Sequence, residues 1–156
     1  MTEIVATVTP SPFRRIFGAG IVGLLGAILI WIGLATAPST GWRFVMLASG
    51  AAIIWCAIRL WQATAHRIEL TSDELRDTSG RLRVQIGDMA SIDRGTFAFK
   101  PSNGFVVVMK AAQPRGWAPG LWWRVGRRIG IGGVTSSTEA KFMAEQLALR
   151  IAARIG

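Results

Sequence analysis

Two stretches of the chain carry no charge: Ile16 to Ala37, 22 residues, and Phe44 to Ile58, 15 residues. At 1.5 Å rise per residue the first makes a helix of about 33 Å, enough for a hydrocarbon core of about 30 Å. The second is bounded by Arg43 and Arg59, whose stems lie along an apolar helix while the guanidinium groups stay in water. With Leu60 and Trp61 included it reaches spanning length. Thr36-Ala-Pro-Ser-Thr-Gly41 between them is turn chemistry, and Pro38 is placed to stop the first helix. The pattern predicts a transmembrane helical hairpin over residues 16–65, preceded by a tail over residues 1–15.

From His66 the period shortens. Arg67-Ile-Glu-Leu-Thr71 and Arg81-Leu-Arg-Val-Gln-Ile86 alternate charged or polar with apolar residues, as half-buried strands do. Glu74 to Thr78 lies between them, set off by Ser72-Asp73 and Ser79-Gly80 turns. Ala90 to Phe99, Gly104 to Lys110, Leu121 to Val125 and Arg128 to Val134 complete about seven strands. A helix follows: Ser136-Ser-Thr-Glu139 fits a capping box, and Ala140, Met143, Ala144, Leu147, Ile151 and Ile155 recur at helical spacing. Residues 66–156 thus form a second domain. The fold class is α+β, a two-helix hairpin followed by strands and an amphipathic C-terminal helix.

Charge sets the expected direction of the spans. Arg14 and Arg15 precede the first and Arg59 and Arg67 follow the second, while Arg43 alone marks the connecting loop. Positive residues stay on the cytoplasmic side, so both termini are expected there, in a bacterial inner membrane. Ser11-Pro-Phe-Arg-Arg-Ile-Phe17 has the look of a twin-arginine export signal ending at Ala35-Thr-Ala37, but cleavage before Pro38 is unfavourable and a second span follows at once. Net charge is +9, of which +6 falls on residues 66–156. With apolar spans next door, the anionic leaflet fits that charge better than nucleic acid does.

Composition narrows the chemistry. One cysteine, Cys56, allows no intrachain disulfide, and one histidine, His66, leaves little for metal sites or nucleophile–base pairs. Gly18-Ala-Gly-Ile-Val-Gly23 spells a dinucleotide fingerprint, but no strand precedes it and no acid follows at the required distance. Its small residues suit helix packing instead: Ala19, Gly23 and Ala27 lie four apart, and Ala48 and Ala52 offer a matching stripe. Gly130-Ile-Gly-Gly133 lacks the lysine ending of a phosphate loop and reads as a strand bend. Asp73, Glu74, Asp77, Asp88 and Asp93 sit at turns, where acids are ordinary.

Ile68-Glu-Leu-Thr-Ser-Asp-Glu-Leu-Arg76, Gly80-Arg81 and Ile86-Gly-Asp-Met-Ala-Ser-Ile92 resemble the opening of bacterial pleckstrin-homology-like (PH-like) domains. The resemblance covers about 90 residues, although the third strand lacks a tryptophan that many members carry near the position of Gln85. Together with Arg94-Gly-Thr-Phe-Ala-Phe-Lys100, the domain is similar to small two-span membrane proteins of alphaproteobacteria. The resemblance implies a barrel or sandwich of about seven strands closed by a helix. It implies no activity.

The densest candidate site is Arg115-Gly-Trp-Ala-Pro-Gly-Leu-Trp-Trp-Arg-Val-Gly-Arg-Arg128. Arginine and tryptophan dominate binding hot spots and also suit the lipid headgroup layer. Arg115, Trp117, Trp122, Trp123, Arg124, Arg127 and Arg128 are therefore the expected partner- or lipid-binding residues, with some of the tryptophans filling the core. The sequence points to a non-catalytic, membrane-anchored interaction protein, an accessory or assembly subunit bound to an integral membrane partner. An anionic-lipid-binding module is the alternative. No catalytic residue, metal or cofactor is expected, and a small-molecule substrate does not fit.

Overall fold

The computed structural model describes residues 3–36, 39–93 and 101–156. The chain divides into two compact units, residues 12–62 and residues 1–11 with 63–156.

The first unit is a helical hairpin. Helix α1 spans Pro12–Ala35 and α2 spans Thr40–Ala63, 24 residues each. Pro12 opens α1, where its missing N–H is no loss. Pro38, the expected helix stop, lies outside the described residues. The helices meet along glycines. A Cβ on Gly26 would come within 2.9 Å of the Gly50 carbonyl oxygen, and one on Gly50 within 2.8 Å of that of Gly26. Further along, Gly33 faces Met46 and Leu47, and a Cβ on Gly23 would lie 3.9 Å from that of Ala57. This corrects the expected seam: Ala27, Ala48 and Ala52 are exposed and Ala19 is half-buried. At one end Arg15 donates to the Trp61 carbonyl at 3.1 Å and stacks 4.0 Å above its indole ring. Outside the seam the hairpin is apolar and bare, with Phe17, Leu24, Trp31, Phe44 and Trp55 all exposed.

Among its described residues the second unit has two antiparallel sheets, one α-helix and a short 3-10 turn at Ile86–Asp88. Strands β1 (Ile4–Val8), β2 (Ile68–Thr71), β3 (Glu74–Asp77) and β4 (Arg83–Gln85) form the first sheet in that order. Strands β5 (Met89–Asp93), β6 (Phe105–Met109), β7 (Gly116–Ala118), β8 (Trp122–Val125) and β9 (Arg128–Ile131) form the second, ordered β5-β6-β9-β8-β7. No pairing among the described residues joins the two sheets, so the expected barrel does not close. Helix α3 (Ser137–Ile155) buries Ala140, Met143, Ala144, Leu147 and Ile151 in the shared core, whereas Ile155, expected on that face, is exposed. The part of the expected fourth strand beyond Asp93, with Arg94 to Lys100, lies outside the described residues.

Residues 4–8, expected within a tail, are instead an edge strand: Val8 pairs with Ile68 and Ala6 with Leu70. The helical hairpin is therefore an insertion between two hydrogen-bonded neighbours. Beyond β1 the chain is held again. Pro10 bridges Thr135, the Ser11 amide donates to the Val134 carbonyl at 2.8 Å, and the Ser136 amide donates to that of Thr9 at 3.3 Å. Glu139, expected to close a capping box on Ser136, leaves that cap without a side-chain bond. Its carboxylate instead accepts from both the amide and the hydroxyl of Thr9, each at 2.7 Å.

Candidate interaction surface

Strands β7 to β9 present the Trp/Arg segment. Trp117 pairs with Trp123 across β7 and β8, and Trp123 with Gly130 across β8 and β9. Side chains alternate along a strand, so Trp117, Trp123, Val125 and Arg128 share the outer face, and Ala118, Trp122 and Ile131 share the inner one. The absent side chain at Gly130 matters here, because the Trp123 indole occupies the space a Cβ would take. Between β8 and β9 the turn is tight. Val125 pairs with Arg128, and Gly126 takes φ +58°, the left-handed region that favours glycine at the first central position of a two-residue hairpin.

The seven expected site residues separate into distinct roles. Trp122 is 2% exposed, and its indole N–H donates to the Asp77 carboxylate at 2.9 Å, so it belongs to the core and not to a binding surface. Trp117 is 58% exposed and Trp123 half-buried. Arg124 is half-buried, donates to the Pro114 carbonyl and lies 5.7 Å from the Trp122 ring; it ties the β7–β8 hairpin together. Arg127 is exposed and donates through Nε to the Met109 carbonyl at 2.9 Å. The Arg115 and Arg128 side chains are exposed and make no hydrogen bond or ion pair with any described residue. Segment 115–128 contains no acidic residue.

Sequence reasoning missed a buried charge network on the other sheet. Glu69 and Glu74 are 5% and 4% exposed on strands whose alternation turns them away from the core. Arginines cover them. Arg67 and Arg76 hold Glu69 at 3.0 and 3.1 Å, while Arg83 and Arg76 hold Glu74 at 2.7 and 3.7 Å. The Glu74 carboxylate, through its hydrogen bond and its charge, raises the pKa of the Arg83 guanidinium above its ordinary value. Asp77 is a third buried acid. Besides Trp122 it accepts from the Ser79 hydroxyl at 2.6 Å and the Leu82 amide at 3.1 Å. Three of the five residues read as turn acids are thus structural: Asp73 pairs with Arg154 at 2.7 Å, and Glu74 and Asp77 are enclosed. The signal available in the sequence was the matched spacing of Glu69, Arg76 and Arg83, which the strand register sets side by side. Among the described residues no group of three His, Cys, Asp or Glu side chains is placed to hold a metal.

The domain has two unlike ends. The chain leaves it at Ser11 and re-enters at Ala63. Ser11 bonds to Val134, whose amide donates to Gly120 in the β7–β8 turn at 3.0 Å. On the return side Arg67 and Thr78 exchange backbone and hydroxyl bonds, which sets the β3–β4 turn beside the re-entry. Arg81 joins the two turns by donating to the Trp117 carbonyl at 3.0 Å. The β2–β3 and β8–β9 turns lie at the opposite ends of their strands. Val134 lies six positions after Arg128, up to about 20 Å of extended chain. Trp117 is therefore near the exits and Arg127 and Arg128 are far from them. No family model, no curated protein and no solved structure matches the chain.

Proposed function

We propose that the chain is a non-catalytic, membrane-anchored interaction protein. In this reading α1 and α2 cross a bacterial cytoplasmic membrane, and a PH-like domain on the cytoplasmic side binds an integral membrane partner as an accessory or assembly subunit. Two helices long and apolar enough to span support the anchor, with only 11% of each window buried. A soluble hairpin would hide such a surface, whereas lipid covers it. Trp31 and Trp42 toward the loop, with Trp61, Arg14, Arg15 and Arg59 at the other end, suit two interfaces. Pairing of β1 with β2 supports one part of this topology independently of charge: strands hydrogen-bonded to each other lie on one side of the bilayer, so both flanks of the hairpin share a side, and the arginine asymmetry names that side as cytoplasmic.

The observation that carries the interaction reading is the distal arginine surface. The Arg115 and Arg128 side chains have no described partner and that of Arg127 only one, at the end of the domain away from the chain exits. Guanidinium groups without internal partners are ready to form bidentate bonds with carboxylates. That position favours an acidic protein over the bilayer from which the hairpin emerges. Co-purification of the full chain from mild detergent tests the reading. A stoichiometric partner retained by the wild type and lost from the double variant Arg115→Gln, Arg128→Gln, with the fold intact, is expected. Equal retention by both forms would remove this surface from the function.

A further inference from the structure

We infer that the exit end of the sheet domain rests in the anionic headgroup layer of a membrane, with Trp117 and Arg81 as its contacts. The inference rests on the reading of α1 and α2 as membrane spans. It concerns a different surface from the distal arginines and a different class of partner.

Both connections to α1 and α2 leave this one end, so it is the end that the chain ties to the spans. The tethers are short. Two residues, Thr9 and Pro10, separate the end of β1 from Ser11, and both are pinned to the segment leading into α3. On the return side four residues, 64–67, join α2 to β2, and the His66 amide donates to the Ala63 carbonyl at 3.3 Å. Chain this short and this well held cannot carry the end of the domain more than a few residues' length from the interface.

The chemistry of this end fits that position. Its described loops, residues 64–67, 78–81, 101–104, 118–121 and 132–135, contain no acidic residue, and the acid that ends β5 there, Asp93, is half-buried and partnered. They are rich in Pro, Gly, Ser and Thr and carry Arg67 and Arg81. Glu139, at the start of α3, is held by Thr9. The opposite end differs: Asp73 and Asp88 are both exposed there. Trp117 projects at the exit end, 58% exposed, beside an open groove of about 340 Å³ lined by Pro101, Ser102, Gly120, Trp123 and Gly132. An indole with its apolar body in the acyl boundary and its N–H among phosphates is the favoured interfacial anchor. Arg81 stands next to it. One terminal nitrogen holds the Trp117 carbonyl, and the rest of its guanidinium is free to meet a lipid phosphate.

Three nitroxide labels on the full chain in vesicles containing one-third phosphatidylglycerol test the inference. One is on the native Cys56, which is exposed on α2. The others are at Ser102→Cys and Ser72→Cys, each made in a Cys56→Ala chain and both exposed, at the exit end and the opposite end. Expected is high accessibility of the Cys56 label to lipid-soluble oxygen, interfacial accessibility at Ser102, and full accessibility to an aqueous nickel chelate at Ser72. Trp117→Ala with Arg81→Gln should return the Ser102 label to the Ser72 value. The interfacial signal should also weaken in purely zwitterionic vesicles. A Cys56 label in lipid with Ser102 as aqueous as Ser72 overturns this inference and leaves the spans standing. An aqueous Cys56 label overturns both. A Ser102 signal unchanged in the double variant overturns the assignment to Trp117 and Arg81.

Discussion

Trp122 and Trp117 lie five residues apart in the same hairpin, and truncating them should have opposite consequences. Trp122 is 2% exposed and Trp117 58% exposed. Taking about 250 Å² for an indole side chain and about 25 cal/mol per Å², burial is worth about 6 kcal/mol at Trp122 and about 2.5 kcal/mol at Trp117. Both figures are upper bounds, since a denatured chain already hides part of this area. Measured Trp→Ala losses in cores run at about 3–5 kcal/mol, which is the expectation for Trp122→Ala, against about 1 kcal/mol for Trp117→Ala. Trp122→Phe separates two contributions. It keeps one buried ring but removes part of the indole's packing and the N–H bond to Asp77, whose carboxylate keeps Ser79 and Leu82. One hydrogen bond to a charged group is worth about 1.5–3 kcal/mol. Urea unfolding of the full chain in detergent micelles, followed by near-ultraviolet circular dichroism, gives the order Trp122→Ala, Trp122→Phe, Trp117→Ala from least to most stable. Equal midpoints for the two alanine variants would refute the division of the segment into core and surface.

Two further outcomes follow from the glycine seam and from Glu139. Gly26→Leu or Gly50→Leu should destabilise the helical hairpin by about 1–3 kcal/mol, because a side chain at either position meets backbone, whereas Ala48→Leu should be neutral. Thermal denaturation in detergent monitored on the helices distinguishes them, and an Ala48→Leu loss equal to that of Gly26→Leu would place the seam elsewhere. Glu139→Gln should weaken the two bonds to Thr9 by about 1–2 kcal/mol and fray the start of the hairpin insertion. Amide hydrogen exchange reads this as faster exchange at Thr9 and Ser11 with β6 unaffected.

The strands that alternate were legible in sequence: β2, β3, β4 and β9 all fall within the stretches whose pattern predicted them. Strand β1 was not. Ile4 to Val8 is a short β-branched run, but its partner lies some 60 positions later, beyond the whole hairpin, and local pattern carries no information on such pairing. Strand β7 is three residues between Pro114 and Pro119, too short to show a period. The helix seam was ambiguous for a different reason. Small residues occur on several faces of α1 and α2, so spacing alone offered Ala19, Gly23 and Ala27 as readily as Gly26 and Gly33. At Glu69 and Glu74 alternation pointed correctly away from the core, yet arginines from neighbouring strands fold over the carboxylates and bury them. Of the candidate surface, the composition of 115–128 was readable. Its division between core, hairpin ties and free arginines depended on register.

The placement of β1 has a consequence for how the protein is made. Val8 and Ile68 are 60 residues apart, so at a synthesis rate of about 5–20 residues per second β1 waits roughly 3–12 s for its partner. In that interval the ribosome delivers the hairpin and nothing that β1 can pair with. Five residues form too short a ribbon to hold together alone. The sheet therefore nucleates from β2, β3 and β4, whose neighbours are adjacent in the chain, and β1 joins as a late edge. Its far end is secured later still, when Glu139 arrives 130 positions after Thr9. Translation order thus makes a strand synthesised before the hairpin one of the last to settle, and puts handling of the apolar helices ahead of closure of the domain that flanks them.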